Sequence, residues 1–309
     1  MRCDSSCKTE AVRFSLVCPH PISSTARKKV VDDFSKLCGH YSETSPKAIH
    51  LDTLSLLTTD SFVCKEHAPK ALAPCINYLH MLGIDCALTY GDMALYGPQM
   101  IVTDVDSTFI TEEVIELLAE VAGSEDMVRD VTTRAMQGEL DFNQSLAHRV
   151  ATLAGLPVST FEEIAAKVTL TEGADRLVRT AHKNGARFAL VSGGFHEVAD
   201  LVANPLEIDT ILANRLETDG NVLTGKTTGI VVDREVKKTT VQGWAHDFDV
   251  PLERVVAAGD GANDLGMMSI AGLSVAFCAK PVVREHANSF ISFPRLDAIV
   301  ALVGWDIED

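Results

Sequence analysis

Two stretches place carboxylates where a buried strand should end. In "QMIVTDVDSTFI", residues 99–110, an apolar run from Met100 to Val102 leads to Asp104, and Asp106 follows one residue later. In "GDGANDLGM", residues 259–267, Asp260 and Asp264 stand among Gly259, Gly261 and Gly266, which permit tight backbone turns. Two carboxylates on one turn can divide labour. An ionised one attacks an electrophile or binds a cation, and one with a raised pKa donates a proton. Hard divalent cations take oxygen ligands, and magnesium usually takes only one or two carboxylates. A D-x-D pair is common, however, and a carboxylate at a strand end can equally cap a helix. "LVSGGF", residues 190–195, adds the Ser192 hydroxyl and backbone N–H groups at an expected helix N-terminus, which is an anion site. Lys237 in "DREVKKTTV" could supply positive charge. Lys238 is its immediate rival, and either could be an exposed helical lysine.

The elements that must bring these residues together are legible as patterns. "QMIVTD", "RFALVSGG", "RVVAAGDG" and "LSVAF" are continuous apolar runs, as in a parallel sheet covered on both faces. Ligands of open α/β sheets bind beyond the carboxyl ends of the strands, so Asp104, Ser192 and Asp260 should converge. Between the first two runs, "EEVIELLAEVAG", "EDMVRDVTTRAMQG", "DFNQSLAHRVATLAG" and "STFEEIAAKV" read as helices punctuated by Gly123, Gly138 and Gly155. That is a helical cap inserted after the first core strand. "ILANRLETDGNVLTGKTTGIVV" reads as a β-hairpin flap turning at Asp219-Gly220. Upstream, "AVRFSLVC", "KAIHLDTLSLL" and "IDCALTY" read as strands. "TARKKVVDDFSKLCG" and "APKALAPCINYLHMLG" read as helices, the second kinked or started late by Pro74. This leader suggests a small ferredoxin-like or amino-acid-sensor-like (ACT-like) α+β domain, with one expected strand hard to find. The organisation predicted is an N-terminal domain over 1–95 and an α/β domain over 96–309. The latter has a core of 96–110 and 172–309 and a cap at about 111–171.

Composition narrows the function. The 309 residues include 43 acidic and 27 basic ones, a net charge of −16, which disfavours nucleic acid as a partner. An anionic substrate then needs local cations or a metal. No apolar run reaches the roughly 18 residues of a membrane span, and charged residues break up the start of the chain, so a soluble, cytoplasmic protein is expected. Seven of the eight cysteines, Cys3, Cys7, Cys18, Cys38, Cys64, Cys75 and Cys86, precede Cys278 in the first 86 residues without a C-x-x-C pair. Free thiols in a reducing compartment are the expectation.

"DVDST", "SGG", a downstream lysine and "GDGAND", in that order, resemble the four motifs of the magnesium-dependent phosphatases of the haloacid dehalogenase (HAD) superfamily. "DVDSTFITEEVIELLAEVAG", "RAMQGELDFNQSLAHRVATLAGLP", "VSGGF", "ANRLE", "DGNVLTG", "GDGANDLGMM" and "AFCAKP" narrow the resemblance to the phosphoserine phosphatases over roughly residues 99–300. The resemblance implies a HAD-like Rossmannoid fold and hydrolysis of O-phospho-L-serine through an aspartyl-phosphate, the last step of serine biosynthesis. It makes Asp104 the nucleophile and Asp106 the acid–base partner. Mg2+ would be held by Asp104, Asp260 and the backbone oxygen of Asp106, with Asp264 in support. Ser192, Gly193, Lys237 and Asn263 would surround the phosphoryl group. Glu113 would meet the substrate ammonium and Arg149 its carboxylate, a pairing that suits the planar guanidinium. Met136 and Phe142 would be apolar lid residues. A leader of this kind often pairs, which would give a homodimer.

Other readings stay open on the residues alone. Another small phosphomonoester, or phosphate transfer to an alcohol acceptor, keeps the same chemistry. A receiver-type signalling module also has a strand-end aspartate, a magnesium site and a lysine, but it lacks a helical cap and has no need of Asp106. A binding module with an amino-acid-sensing leader leaves the motif aspartates without a task.

Overall fold

The computed structural model describes residues 10–59, 67–137 and 139–307. Cys3, Cys7, Cys64 and Gly138 lie outside these residues, as does the Met136 side chain. The leader contains β1 (Val12–Cys18), α1 (Ser24–Ser35), β2 (Ser42–Thr44), β3 (Asp52–Thr58), α2 (Ala68–Met81) and β4 (Asp85–Tyr90). Its sheet order is β2-β3-β1-β4, and β1 runs antiparallel to both neighbours. A βαββαβ chain with this order is the ferredoxin-like arrangement. The strand hidden from the sequence pattern is β2, three exposed residues at the sheet edge that pair with β3. With no buried side it carries no alternation. Pro74 does not delay α2, which starts at Ala68 with Pro69 in its first turn and continues through Pro74. Leu72, Cys75 and Leu79 hold it against the sheet by burial.

The period of β1 explains how this sheet is used. Val12, Phe14, Leu16 and Cys18 point at the helices and form an apolar core with Val30, Phe34, Leu72 and Leu79. The opposite face carries Ser15, Thr53, Ser55 and Asp85, all buried. A sheet with two dry faces must have two partners, and the second partner here is the rest of the chain.

That rest begins with α3 (Gly91–Tyr96) and β5 (Met100–Thr103). A cap follows: α4 (Val114–Ala122), α5 (Glu125–Met136), α6 (Phe142–Ala151) and α7 (Thr160–Ala165). Then come α8 (Ala174–Lys183), β6 (Arg187–Phe195), α9 (His196–Ala203), β7 (Thr210–Asp219), β8 (Val222–Thr228), α10 (Arg234–Asp247) and β9 (Val255–Gly259). The chain closes with α11 (Leu265–Met268), β10 (Leu273–Phe277), α12 (Pro281–Arg284), β11 (Ser289–Ile291) and α13 (Ala298–Leu302). The seven strands stand in the order β11-β10-β9-β5-β6-β7-β8, all parallel except β8. The expected hairpin extends this sheet, since β7 pairs with β6 before turning at Gly220 into β8. Cap helices start and stop where their residues dictate. Asp141 and Gln144 form a reciprocal capping box at α6, and Gly123 ends α4 in the left-handed region at φ 63°. The hairpin braces the cap: Leu223 N–H donates to Leu156 O at 2.9 Å and Gly155 N–H to Leu223 O at 2.8 Å. Among the described residues no helix is long and apolar enough to cross a membrane.

The two sheets meet along β4 and β11. Ser289 Oγ donates to Cys86 O at 2.9 Å, and both the N–H (2.6 Å) and the hydroxyl (2.9 Å) of Ser292 donate to Asp85. Burial lifts the Asp85 carboxyl from 3.8 to about 6 in spite of those bonds. A folded-state pKa above the unfolded one gives stability that is fully present below pH ~4 and is lost as pH rises through about 6. Two pKa units correspond to about 3 kcal/mol. Asp85→Asn keeps an acceptor for Ser292 and removes the buried charge. Thermal denaturation should find it at least as stable as the parent at pH 7.5, with the parent gaining on it as pH falls toward 5. A variant equally destabilised at both pH values would contradict this assignment.

Candidate active site

Asp104 and Asp106 after β5, Gly193 in β6 and Asp260 after β9 line one cavity of about 480 Å³, whereas Ser192 and Asp264 are buried and do not line it. Its walls include Asp104, Asp106, Glu113, Phe142, Arg149 and Asp260, and the cap closes it from above. The volume suits a small molecule.

Asp104 leaves β5 with its backbone N–H on Ala258 O (2.9 Å) of β9. Its side chain accepts from the Val105 N–H at 2.7 Å, so the residue is a cap as well as a wall of the cavity. The next turn is wound wide, with Ile110 N–H reaching back to Val105 O at 3.0 Å. Within it Ser107 takes φ 55°, in the left-handed region that few residues other than glycine adopt. That turn lets three side chains reach separate partners. Asp106 faces Gly194, where an added Cβ would lie 2.5 Å from its Oδ2. Ser107 Oγ donates to Glu113 at 2.8 Å, and Thr108 Oγ1 to Asp260 at 3.3 Å.

Lys237 is fully buried. Its ammonium lies 2.9 Å from Asp104 and 2.7 Å from Asp264. Lys238 is a third exposed and sits 3.5 Å from Glu235 on the helix surface. Asp264 also accepts from Gly261 N–H at 3.0 Å. Gly259 is needed for close approach: a Cβ there would lie 2.3 Å from the Asp264 carboxylate. None of Gly259, Gly261 and Gly266 has a positive φ, so proximity is what excludes a side chain. Asp260 is not the cap of the short helix that follows it. Gly261 takes that position and leaves the carboxylate in the cavity.

The cluster holds more negative than positive charge. Burial would lower Lys237, but Asp104 and Asp264 outweigh it and hold the ammonium charged. Burial, and then Asp104, push Asp260 up to about 7 and Asp264 up to about 8. Asp106 is raised well above the ordinary carboxylate range by burial, then by Glu113 and Asp104. It can therefore carry a proton at neutral pH beside the Asp104 carboxylate. One oxygen from each of Asp104, Asp260 and Asp264 falls within 4.8 Å of the others. A hard divalent cation fits this donor set: the ligands are oxygens, and Lys237 is one positive charge beside three carboxyl groups.

Under the cap, Glu113 precedes α4 and is raised by burial. Arg149, on α6, has its Nε 3.4 Å from Ser145 O, and burial lowers it against the pull of Glu113 and Asp106. Phe142 opens α6 and stands over the glycines; a Cβ on Gly193 would lie 3.1 Å from its Cζ. Asn263 lines the same cavity. Ser192 is buried and accepts from Gly194 N–H at 2.7 Å. The expected helix N-terminus is absent at this point, because residues 192–195 still belong to β6 and α9 starts at His196. The Ser192–Gly194 segment is a strand irregularity instead. Three participants carried no clear signal. Ser107 read only as a small hydroxyl. Lys280 in "AFCAKP" lines the cavity. Asn214 in "ANRLE" is buried inside β7 and donates to Gly193 O at 2.7 Å; a polar residue within an apolar strand was its only mark.

Comparison with known proteins places the chain among characterised relatives. The family model for haloacid dehalogenase-like hydrolases matches residues 101–269. A phosphoserine phosphatase of Lactococcus lactis is 46% identical over 204 residues, 66% of this chain and 94% of the relative. One from Saccharomyces cerevisiae is 41% identical over 290 residues, 90% of this chain and 92% of its own length. A solved structure of a phospho-aspartyl intermediate analogue of phosphoserine phosphatase superposes with a TM-score of 0.62 at 38% identity, covering 66% of this chain and 97% of that one.

Removing one partner of a buried ion pair costs about 3–5 kcal/mol. Lys237→Met should therefore melt well below the parent in excess chelator. Millimolar divalent cation should recover part of the loss by neutralising the stranded carboxylates. Equal melting temperatures in chelator would show that Lys237 does not balance this cluster.

Proposed function

The chain belongs to the haloacid dehalogenase-like hydrolases, and on that premise we propose that it is a Mg2+-dependent phosphoserine phosphatase, hydrolysing O-phospho-L-serine to L-serine and phosphate. One observation carries the reading. Asp104, paired with the Lys237 ammonium, and Asp106, whose carboxyl burial raises, share a cavity with Glu113 and Arg149. The first pair suits phosphoryl transfer, and the second suits the two charges of a free amino acid.

In the proposed reaction an Asp104 oxygen attacks phosphorus as the bond to the serine oxygen breaks. Asp106 gives its proton to that oxygen, and serine leaves. Water then attacks the aspartyl-phosphate, Asp106 takes the proton of the water, and the bond from Asp104 to phosphorus breaks to release phosphate. Two easier steps replace one hard one. Asp104, Asp260 and the backbone oxygen of Asp106 would hold Mg2+, with Asp264 in support; when bound it supplies positive charge to the phosphoryl oxygens. Ser192, Gly193, Lys237 and Asn263 are assigned to the phosphoryl group, where positioning and electrostatics account for most of the catalysis. Glu113 is assigned to the ammonium and Arg149 to the carboxylate. Phe142 and Met136 would exclude water as the cap closes. The described Cys18, Cys75, Cys86 and Cys278 are free thiols, which suits a cytoplasmic location.

The test is phosphate release from O-phospho-L-serine with magnesium and with excess chelator. The reading requires turnover that chelator abolishes. Cleavage of an aryl phosphate without cleavage of phosphoserine would keep the chemistry and overturn the substrate. A second expectation concerns recognition. Arg149→Met and Glu113→Gln should each raise KM for phosphoserine at least tenfold, as expected when a buried charged contact worth ~1.5–3 kcal/mol is lost. KM for para-nitrophenyl phosphate should move little. Equal losses on both substrates would remove these two assignments.

A further inference from the structure

The loop that carries Ser192 and Gly193 is an insertion in a strand, and it must be held in place by something other than sheet pairing. Strands β6 and β7 pair in register at Val191↔Leu212 and again at Phe195↔Asn214. Three residues, Ser192 to Gly194, therefore stand opposite the single residue Ala213. A bulge of this kind turns residues out of the sheet and strips them of ladder hydrogen bonds. Here it turns them toward Asp106 and the cavity. Buried backbone groups that lose the ladder need other partners.

Side chains supply them. His196 accepts from Ala213 N–H at 3.0 Å and Glu197 from Leu216 N–H at 3.0 Å, both on the β7 side. On the bulge itself the partner is Asn214. Its Nδ2 donates to Gly193 O at 2.7 Å, and its Oδ1 accepts from Val232 N–H at 2.8 Å. The residue is completely buried, and both ends of its amide are used. Val232 immediately precedes Asp233, the N-cap of α10, whose side chain accepts from Val236 N–H at 2.9 Å and whose carbonyl accepts from Lys237 N–H at 2.9 Å. One amide thus joins the glycine bulge to the segment that launches Lys237.

We propose that Asn214 is a positioning residue for phosphoryl transfer: its side chain replaces the missing β6–β7 ladder bond, fixes the Gly193–Gly194 peptide, and sets it in register with Lys237. This deepens the phosphatase reading and rests on it. An amide is required because Gly193 O needs a donor while Val232 N–H needs an acceptor. Asp at 214 would be close in shape but would offer only acceptors, placing a carboxylate against a carbonyl.

The test uses the full chain with Asn214→Asp and Asn214→Ala. A displacement of about 1 Å in a catalytic group costs on the order of a hundredfold. In Asn214→Asp, kcat should fall about tenfold to a hundredfold, equally for phosphoserine and para-nitrophenyl phosphate, because the phosphoryl group is common to both. Inhibition by inorganic phosphate should weaken tenfold or more in a variant that stays folded at the assay temperature, although the buried carboxylate lowers its melting temperature. A folded variant with kcat within threefold of the parent, or a loss confined to phosphoserine, would overturn the proposal. Should neither variant fold, hydrogen exchange on the unaltered protein decides. The tether predicts a Val232 amide, which donates to Asn214, protected like the flanking strand, and exchange at an open-loop rate would refute it. An unaltered protein that cleaves only the aryl phosphate would overturn the phosphoserine reading and leave the Asn214 comparison intact.

Discussion

The site is organised around one buried ammonium surrounded by too many carboxylates. Lys237 is the cation that Asp104 and Asp264 grip, while Asp106 and Asp260 lie in the same low-dielectric space. Charges in such a place interact far more strongly than in water, so the protonation state of each depends on the others. The roles proposed for Asp104 and Asp106, nucleophile and proton donor two positions apart, require a difference in surroundings. Lys237 touches Asp104 and not Asp106, and burial, then Glu113 and Asp104, raise the Asp106 carboxyl.

The backbone serves that arrangement. Parallel strands deliver Asp104, Ser192 and Asp260 to one edge, and the glycines beside them remove side chains that would collide. Gly194 clears the Asp106 carboxyl and Gly259 clears the Asp264 carboxylate. The cap is tied to the same turn. Glu113 opens the first cap helix and accepts from Ser107, one residue past Asp106. The hydrogen bond from Ser107 to Glu113 thus ties the first cap helix to the turn that bears Asp104 and Asp106.

Much of this was legible in the sequence because it depends on local chemistry. Apolar runs ending in Asp or Gly marked β5, β6 and β9 at their catalytic ends. Glycine stops marked the cap helices, and Asp-Gly marked the hairpin. What escaped has a physical reason in each case. Strand β2 is short and exposed on both sides, so it leaves no period to read. The bulge in β6 looks like the start of a helix, since Gly-Gly suits either, and only the pairing with β7 distinguishes them. Asn214 acts through a carbonyl twenty-one residues away, a relation that no window of sequence contains. The choice between Lys237 and Lys238 is a choice of helix face, and packing made it: one ammonium is sealed in and the other stays at the surface.

The N-terminal sheet follows a comparable logic. Its apolar face is used by α1 and α2, so its freedom to do anything further depends on the polar face. That face is already committed. Ser289 opens β11 and Ser292 follows it; they bond to Cys86 and Asp85 on β4, and β11 in turn pairs with β10. Cys278 N–H, one residue past β10, donates to Ile291 O at 2.8 Å, and Lys280 lines the catalytic cavity two residues later. A ligand for the N-terminal sheet would therefore have to use the helices or the β2 edge, because the remaining face is a seam. Anything that shifted β4 would act first on a three-residue strand whose other neighbour leads into the wall of the active site.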